Sequence, residues 1–252
     1  ERIVSRKNPL VAQIRTLNQS RSARREQQLF VAEGPKLLDE ALRAGAQVVT
    51  VVAREGMEIP CPERARRVEV PEDLLVGLCD TKTPQGVVFL CAMSPLRPPE
   101  RLSGGRYLVL DGLQDPGNVG TIWRTADALG ADGLLLVHHC ADPFSPKTVR
   151  ATMGACFRLP VWEVEAEELP ELMERSGLPL YATALREDTL DIKTAQLDRC
   201  AVVIGSEGRG VSPELLGASR GTIRIPMRPR CESLNAAVAA TIVLWEMCGG
   251  TP

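Results

Sequence analysis

The chain has 252 residues, of which 44% are hydrophobic and 25% charged, and its formal net charge is -2. That length exceeds one typical domain and supplies ample apolar material for two cores, so two domains are expected. The charge balance excludes a uniformly basic nucleic-acid binder but leaves room for a local patch. No apolar run approaches the roughly 18 residues of a membrane span, and residues 1–30 contain no apolar signal-peptide core. The eight cysteines form no C-x-x-C pair or zinc-type cluster, so they read as reduced, mostly buried thiols of a cytoplasmic protein without a metal.

The first 30 residues hold the basic patch. Arg2, Arg6, Lys7, Arg15, Arg21, Arg24 and Arg25 stand against Glu1 and Glu26, a local charge of roughly +5 by the same counting. The acidic balance sits in EVEAEELPELME, residues 163–174. In QQLFVAEGPKLLDEALRAGAQVVTVVARE a strand at Leu29–Ala32 precedes a helix with Leu37, Leu38, Ala41 and Leu42 on one side. Gly45 stops that helix before a second strand, which makes a small α/β unit. Pro95, Pro98, Pro99, Gly104 and Gly105 then interrupt all periodicity. The expected division is therefore 1–95, a linker at 96–105, and 106–252.

After the linker, YLVLDG, DGLLLVHH, LPLYATAL, CAVVIGSEG and TIRIPM are five strand-like runs separated by helical segments. They predict an α/β fold with a largely parallel sheet. Between the first two lies LQDPGNVGTIWR. From Asn118 to Gly130 the pattern is helical: Asn118 caps it, Val119, Ile122, Trp123 and Ala126 form the apolar stripe, and Gly130 ends it. Arg124 falls off that stripe, near the carboxyl ends of the strands where open sheets bind ligands. In isolation an ordinary cap followed by a solvated surface arginine looks the same. The loop in VVIGSEGRGVSP carries Gly205, Gly208 and Gly210, which let backbone amides approach a ligand. Its spacing is neither a Walker loop nor a dinucleotide fingerprint. TIRIPMRPRCESLNAAVAATIVLWEM then reads as a strand, an arginine-rich loop, and a helix capped by Ser233 with Asn235 in its first turn. That helix is nearly all apolar, so it is buried against something, a neighbouring subunit being one candidate.

These three loops together resemble the SpoU, or TrmH-like, family of S-adenosylmethionine-dependent RNA 2'-O-ribose methyltransferases. The family's motifs match LDGLQDPGNVGTIWRTADALGADG, VVIGSEGRGVSP and IPMRPRCESLNAAVAA in order, across residues 106–247. FVAEGPKLLDEALRAG and TPQGVVF resemble the family's accessory L30e-like RNA-binding domain, which would occupy residues 1–95. The resemblance implies a trefoil-knotted methyltransferase domain of the SPOUT class, a homodimer, and S-adenosylmethionine as cofactor. It puts catalytic roles on Asn118, Arg124, Glu207, Ser233 and Asn235. Cofactor contacts fall near Gly205, Gly208, Ile225 and Leu234, with Thr183 and Met227 beside them. Arg21, Arg24, Arg25, Arg228 and Arg230 are the candidate RNA contacts. The family form with this N-terminal domain acts mostly on ribosomal RNA of the 23S type. Transfer RNA is the second reading, and a non-catalytic RNA-binding or ribosome-assembly protein of the same fold the third. One departure is Pro229, where many relatives have glycine; proline lacks an amide hydrogen and fixes φ, which alters the path of the cofactor loop.

A ribose 2'-hydroxyl is a poor nucleophile at neutral pH, so positioning, which can contribute roughly 7–11 kcal/mol, carries much of the task. Members of the family are proposed to use the arginine at the position of Arg124 as proton acceptor. A free guanidinium keeps its proton above about pH 12, so neutralising one at pH 7 costs at least ~7 kcal/mol. An electrostatic role, clamping the phosphate beside the target ribose and stabilising developing negative charge, is the cheaper reading. His138 and His139 end a strand without a carboxylate at metal-ligand spacing and read as a plain loop edge. The three tryptophans read as core, and the sparse aromatics leave RNA binding to phosphate contacts and shape.

Overall fold

The computed structural model describes residues 1–184, 186, 189–228, 230 and 233–249. Pro229 and Cys231 therefore lie outside the described residues. In chain order the elements are α1 (Pro9–Gln19), α2 (Arg21–Gln27), β1 (Leu29–Glu33), α3 (Pro35–Arg43), β2 (Val48–Arg54), β3 (Arg66–Val70), α4 (Glu72–Val76) and β4 (Val87–Ala92). They continue with β5 (Arg106–Asp111), α5 (Pro116–Leu129), β6 (Gly133–Val137), α6 (Pro146–Thr152), a 3-10 turn (Ala155–Phe157), β7 (Val161–Glu163) and α7 (Leu169–Ser176). The last are β8 (Leu180–Thr183), β9 (Leu190–Asp191), β10 (Cys200–Gly205), α8 (Pro213–Ala218), β11 (Gly221–Arg224) and α9 (Ala236–Met247).

The chain divides into two compact units. The first comprises Glu1–Ser94 together with Asp142–Arg158; the second comprises Pro95–Ala141 and Leu159–Pro252. In the first unit four strands lie in the order β1-β4-β2-β3. β4 is antiparallel to both of its neighbours, and β2 and β3 are parallel. α1 begins where Asn8 accepts the amide of Leu10 and Pro9 takes the first position, and it buries Leu10, Val11, Ile14 and Leu17. Gly45, with φ of +69°, ends the turn after α3 as its sequence position predicted.

The segment Asp142–Arg158, sequentially inside the second domain, is built into the first unit. All four phenylalanines of the chain meet there. The ring of Phe30 lies 4.8 Å from Phe144 and 6.1 Å from Phe157, which in turn lies 6.4 Å from Phe89. Arg24, from the basic patch, is buried beside them rather than free for RNA. Its Nε and Nη2 donate to Oδ2 of Asp142 at 2.9 and 2.5 Å, and its Nη1 donates to the carbonyl of Leu17. A guanidinium with no exposed donor cannot reach a phosphate, so Arg24 is a core residue and not an RNA contact.

The second unit is a seven-stranded sheet in the order β7-β6-β5-β10-β8-β11-β9, and every pairing is parallel. The five predicted runs are its five inner strands. The edge strands β7 and β9 have three and two residues, too short for a periodic signal. The expected linker is not free: Leu102 is 4% exposed, its amide donates to Oγ of Ser176, and the carbonyl of Leu96 accepts from Glu163. Among the tryptophans, Trp123 is buried and donates to the carbonyl of Leu159, and Trp162 is partly buried against the core. Trp245 departs from the expectation at 54% exposed. No helix among the described residues is long and apolar enough to cross a membrane. The described cysteines are all free thiols. Burial pushes Cys91 and Cys200 up to about 12, which keeps both protonated at neutral pH.

Candidate functional site

The chain leaves β5 at Asp111 and enters α5 through Asp115 and Pro116. Asp115, not Asn118, is the cap: its Oδ1 accepts the amide of Asn118 at 2.8 Å. Asn118 lies in the first turn, and its side chain is left for other work. A similar shift occurs at α9, where the cap is Asn235, not Ser233. Oδ1 of Asn235 accepts the amides of Ala237 and Val238 at 2.9 and 3.3 Å.

With the caps so assigned, three separated motifs meet. Nδ2 of Asn118 donates to Oε1 of Glu207 at 2.5 Å. Nδ2 of Asn235 donates to the same oxygen and to Oδ1 of Asn118, both at 3.2 Å. The amide of Ala236 adds a longer contact to Glu207 at 3.4 Å. Glu207 thus ties the start of α5 to the start of α9, and each asparagine is held by one group while it holds another.

Glu207 belongs to the loop after β10, which folds back on itself. The amide of Gly210 donates to the carbonyl of Ser206 at 2.8 Å. A Cβ at Gly205 would lie 2.1 Å from the carbonyl carbon of Gly210, so no larger residue fits there without moving the loop. Gly210 has φ of +68°, the left-handed region that favours glycine.

This loop walls a cavity of about 460 Å³ at the carboxyl ends of β8, β10 and β11. Thr183, Gly205, Gly208, Ile225, Met227 and Leu234 all line it, as do Glu207 and Ser233. Asn118 and Asn235 stand at its edge through Glu207. Arg124 is not among the lining residues. It is exposed on α5, off the buried stripe of Val119, Ile122, Trp123 and Ala126. Arg228 and Arg230 are exposed on the loop after β11, while Arg21 and Arg25 lie on α2 in the first unit. Arg186 and Arg209, not among the residues expected from sequence, also line the cavity, and so does Arg224. Their signal was their place at the carboxyl ends of strands: Arg186 and Arg209 lie three and four residues past β8 and β10, and Arg224 is the last residue of β11. Among the described residues, no group of three His, Cys, Asp or Glu side chains is arranged to hold a metal ion.

His138 was misread. It does have carboxylate partners, Asp111 and Glu214, which the fold brings from 27 and 76 residues away in sequence. Its Nδ1 is 2.7 Å from Oδ1 of Asp111, and its Nε2 is 3.4 Å from Oε2 of Glu214.

An open parallel sheet with a glycine-walled cavity at the carboxyl ends of its strands defines a ligand-binding α/β protein. The chain belongs to the SpoU rRNA Methylase family, whose profile matches residues 105–245; residues 8–88 match the MRM3-like substrate binding domain. It is 32% identical to the 23S rRNA (guanosine(2553)-2'-O)-methyltransferase RlmP of Bacillus subtilis, over 99% of this chain and 100% of that protein. A 23S rRNA (uridine(2479)-2'-O)-methyltransferase of Streptomyces viridochromogenes is 31% identical, over 97% of this chain and 91% of its own length. Among solved structures, an AdoMet-bound rRNA methyltransferase from Sinorhizobium meliloti superposes with a TM-score of 0.87 at 35% identity, covering 99% of this chain and 98% of that one.

Proposed function

We propose that the protein is an S-adenosylmethionine-dependent RNA 2'-O-ribose methyltransferase acting on 23S-type ribosomal RNA in the cytoplasm. The observation that carries this reading is the meeting of Asn118, Glu207 and Asn235 from three motifs at a cavity walled by Gly205 and Gly208. The cavity suits the cofactor. Its volume is in the range of small-molecule sites, and the glycines leave backbone amides open to a polar ligand. Apolar Ile225, Met227 and Leu234 offer surface to an adenine ring. Ser233 offers a hydroxyl, and that of Thr183, which donates to the carbonyl of Val203, offers its lone pairs. When bound, the cofactor supplies an already activated methyl group.

The protein's own contribution is alignment and charge. Asn118 and Asn235 fix Glu207, and Glu207 fixes the loop over the cavity. Arg124, exposed and cationic, clamps the phosphate next to the target ribose and stabilises the negative charge that develops on the 2'-oxygen. Ribosomal RNA is favoured over transfer RNA because relatives named for 23S rRNA match essentially the whole chain. The N-terminal unit, read as L30e-like, selects the RNA, with Arg21, Arg25, Arg228 and Arg230 as phosphate contacts. The second unit is read as trefoil-knotted on its membership of the SpoU family.

The test is transfer of labelled methyl from S-adenosylmethionine to unmodified ribosomal RNA, with the product mapped as a 2'-O-methyl nucleotide. Labelling of transfer RNA alone would shift the substrate, and RNA binding without labelling would leave the non-catalytic reading.

The active form is read as a homodimer through α9. That helix leaves Val238, Thr241, Ile242 and Trp245 at least partly exposed at helical spacing on one side, with Val238 and Trp245 at 49% and 54%. An exposed strip carrying Val238, Ile242 and Trp245 along the body of a helix seeks a partner. Sedimentation equilibrium at micromolar concentration should give a dimer, and Trp245→Glu a monomer; an active wild-type monomer would sink the reading.

A further inference from the structure

Asp111 ends β5 and is 4% exposed, yet the proposed chemistry makes no use of it. Both of its oxygens are engaged. Oδ2 accepts the amide of Ser212 at 2.7 Å, and Oδ1 bonds Nδ1 of His138 at 2.7 Å. His138 reaches on to Glu214 in the first turn of α8. Ser212 is the cap of that same helix and directly follows the returning leg of the cavity loop, Gly210 and Val211. One buried carboxylate therefore grips the start of α8 by two arms, one directly at Ser212 and one through His138 and Glu214.

We propose that Asp111, His138 and Glu214 form a protonation-dependent latch that holds the returning leg of the Gly205–Val211 loop and so sets the affinity of the cavity for S-adenosylmethionine. None of the three lines the cavity, so they are positioning residues. The inference rests on reading that cavity as the cofactor site.

The charged groups that face His138 are Asp111 from β5 and Glu214 from α8. The hydrogen bond to Asp111, helped by the charges of Asp111 and Glu214, holds His138 above its ordinary 6.5 against the opposing effect of burial. The charged imidazole thus belongs to the latched state. The latch is at full strength below the ordinary histidine value and weakens as pH rises through the elevated one.

The experiment is calorimetry of S-adenosylmethionine binding to the intact chain between about pH 5.5 and 9. Wild-type affinity should fall by about five- to tenfold across that window, the low end of measured couplings between sites. His138→Asn should flatten the profile, because its amide replaces Nδ1–H without titrating and asparagine tolerates the φ of +52° at this position. Glu214→Gln, at an exposed position, should reduce the slope. Asp111→Asn should weaken binding at every pH; should that buried change impair folding, Glu214→Gln and His138→Asn still decide. A wild-type profile identical to that of His138→Asn overturns the latch. Failure of the wild-type chain to bind the cofactor at any pH overturns the cavity reading instead. In that event hydrogen exchange at the Ser212 amide, without cofactor, decides the latch. Protection that falls as His138 loses its proton supports it, and protection indifferent to that titration overturns it.

Discussion

Arg124→Ala is expected to reduce methyl transfer by at least about 10²–10³-fold, the effect of removing one group that stabilises transition-state charge. Affinity for S-adenosylmethionine should stay within a few-fold of wild type. The separation follows from position. Arg124 does not line the cavity, and its side chain is exposed on α5. An exposed residue off the buried stripe contributes little to stability, within about ±0.5 kcal/mol, so lost activity would not reflect lost fold. Single-turnover rates beside calorimetric cofactor binding make the measurement. If cofactor binding collapses along with turnover, Arg124 acts on the cofactor and the phosphate-clamp role is wrong. Arg124→Lys should recover only part of the rate, because an ammonium keeps the charge but loses the planar fork.

Arg24→Ala should cost about 3–5 kcal/mol of stability, the usual consequence of removing one partner from a buried ion pair. The Arg24 and Asp142 side chains are 5% and 12% exposed, so the carboxylate left behind has little access to water. The carbonyl of Leu17 loses its donor as well. Urea denaturation followed by fluorescence tests this, and a change below about 1 kcal/mol would mean that solvent reaches Asp142 after all. Exchanging both residues for apolar ones of similar volume should cost less than either single change. The same geometry bears on truncation. Removing residues 1–95 would strip Asp142, Phe144 and Phe157 of their partners, so such a fragment is expected to aggregate rather than report on cofactor binding alone.

Much of the architecture was legible because its signals are local. A buried parallel strand is a short apolar run between breakers, and YLVL, LLLV and AVVI are such runs. A helix stop needs a left-handed residue, and Gly45 and Gly130 supplied it. The glycine loop announced itself for the same reason. Caps were less legible. Asp115 and Asn118 are both good capping types three residues apart, as are Ser233 and Asn235 two apart. Pro116 at the first helical position favours Asp115 as the cap of α5, while between Ser233 and Asn235 sequence offers no preference. Glu207 claims Asn118, which leaves Asp115 to cap α5.

The amino-acid sequence by itself determined the class of fold, the order of the strands along the chain and the glycines that admit a ligand, since each depends on residues within one turn or one strand. Its ordered motifs also carried the family. Only the tertiary structure decided what the charged groups do. Arg21, Arg24 and Arg25 are indistinguishable on paper, but packing against residues 142–158 buries one of them. His138 has no acid at metal-ligand spacing, yet strand order sets Asp111 beside it and α8 brings Glu214. The strength and meaning of a charge depend on its distance from other charges and from water, and those distances are set by contacts between segments far apart in the chain.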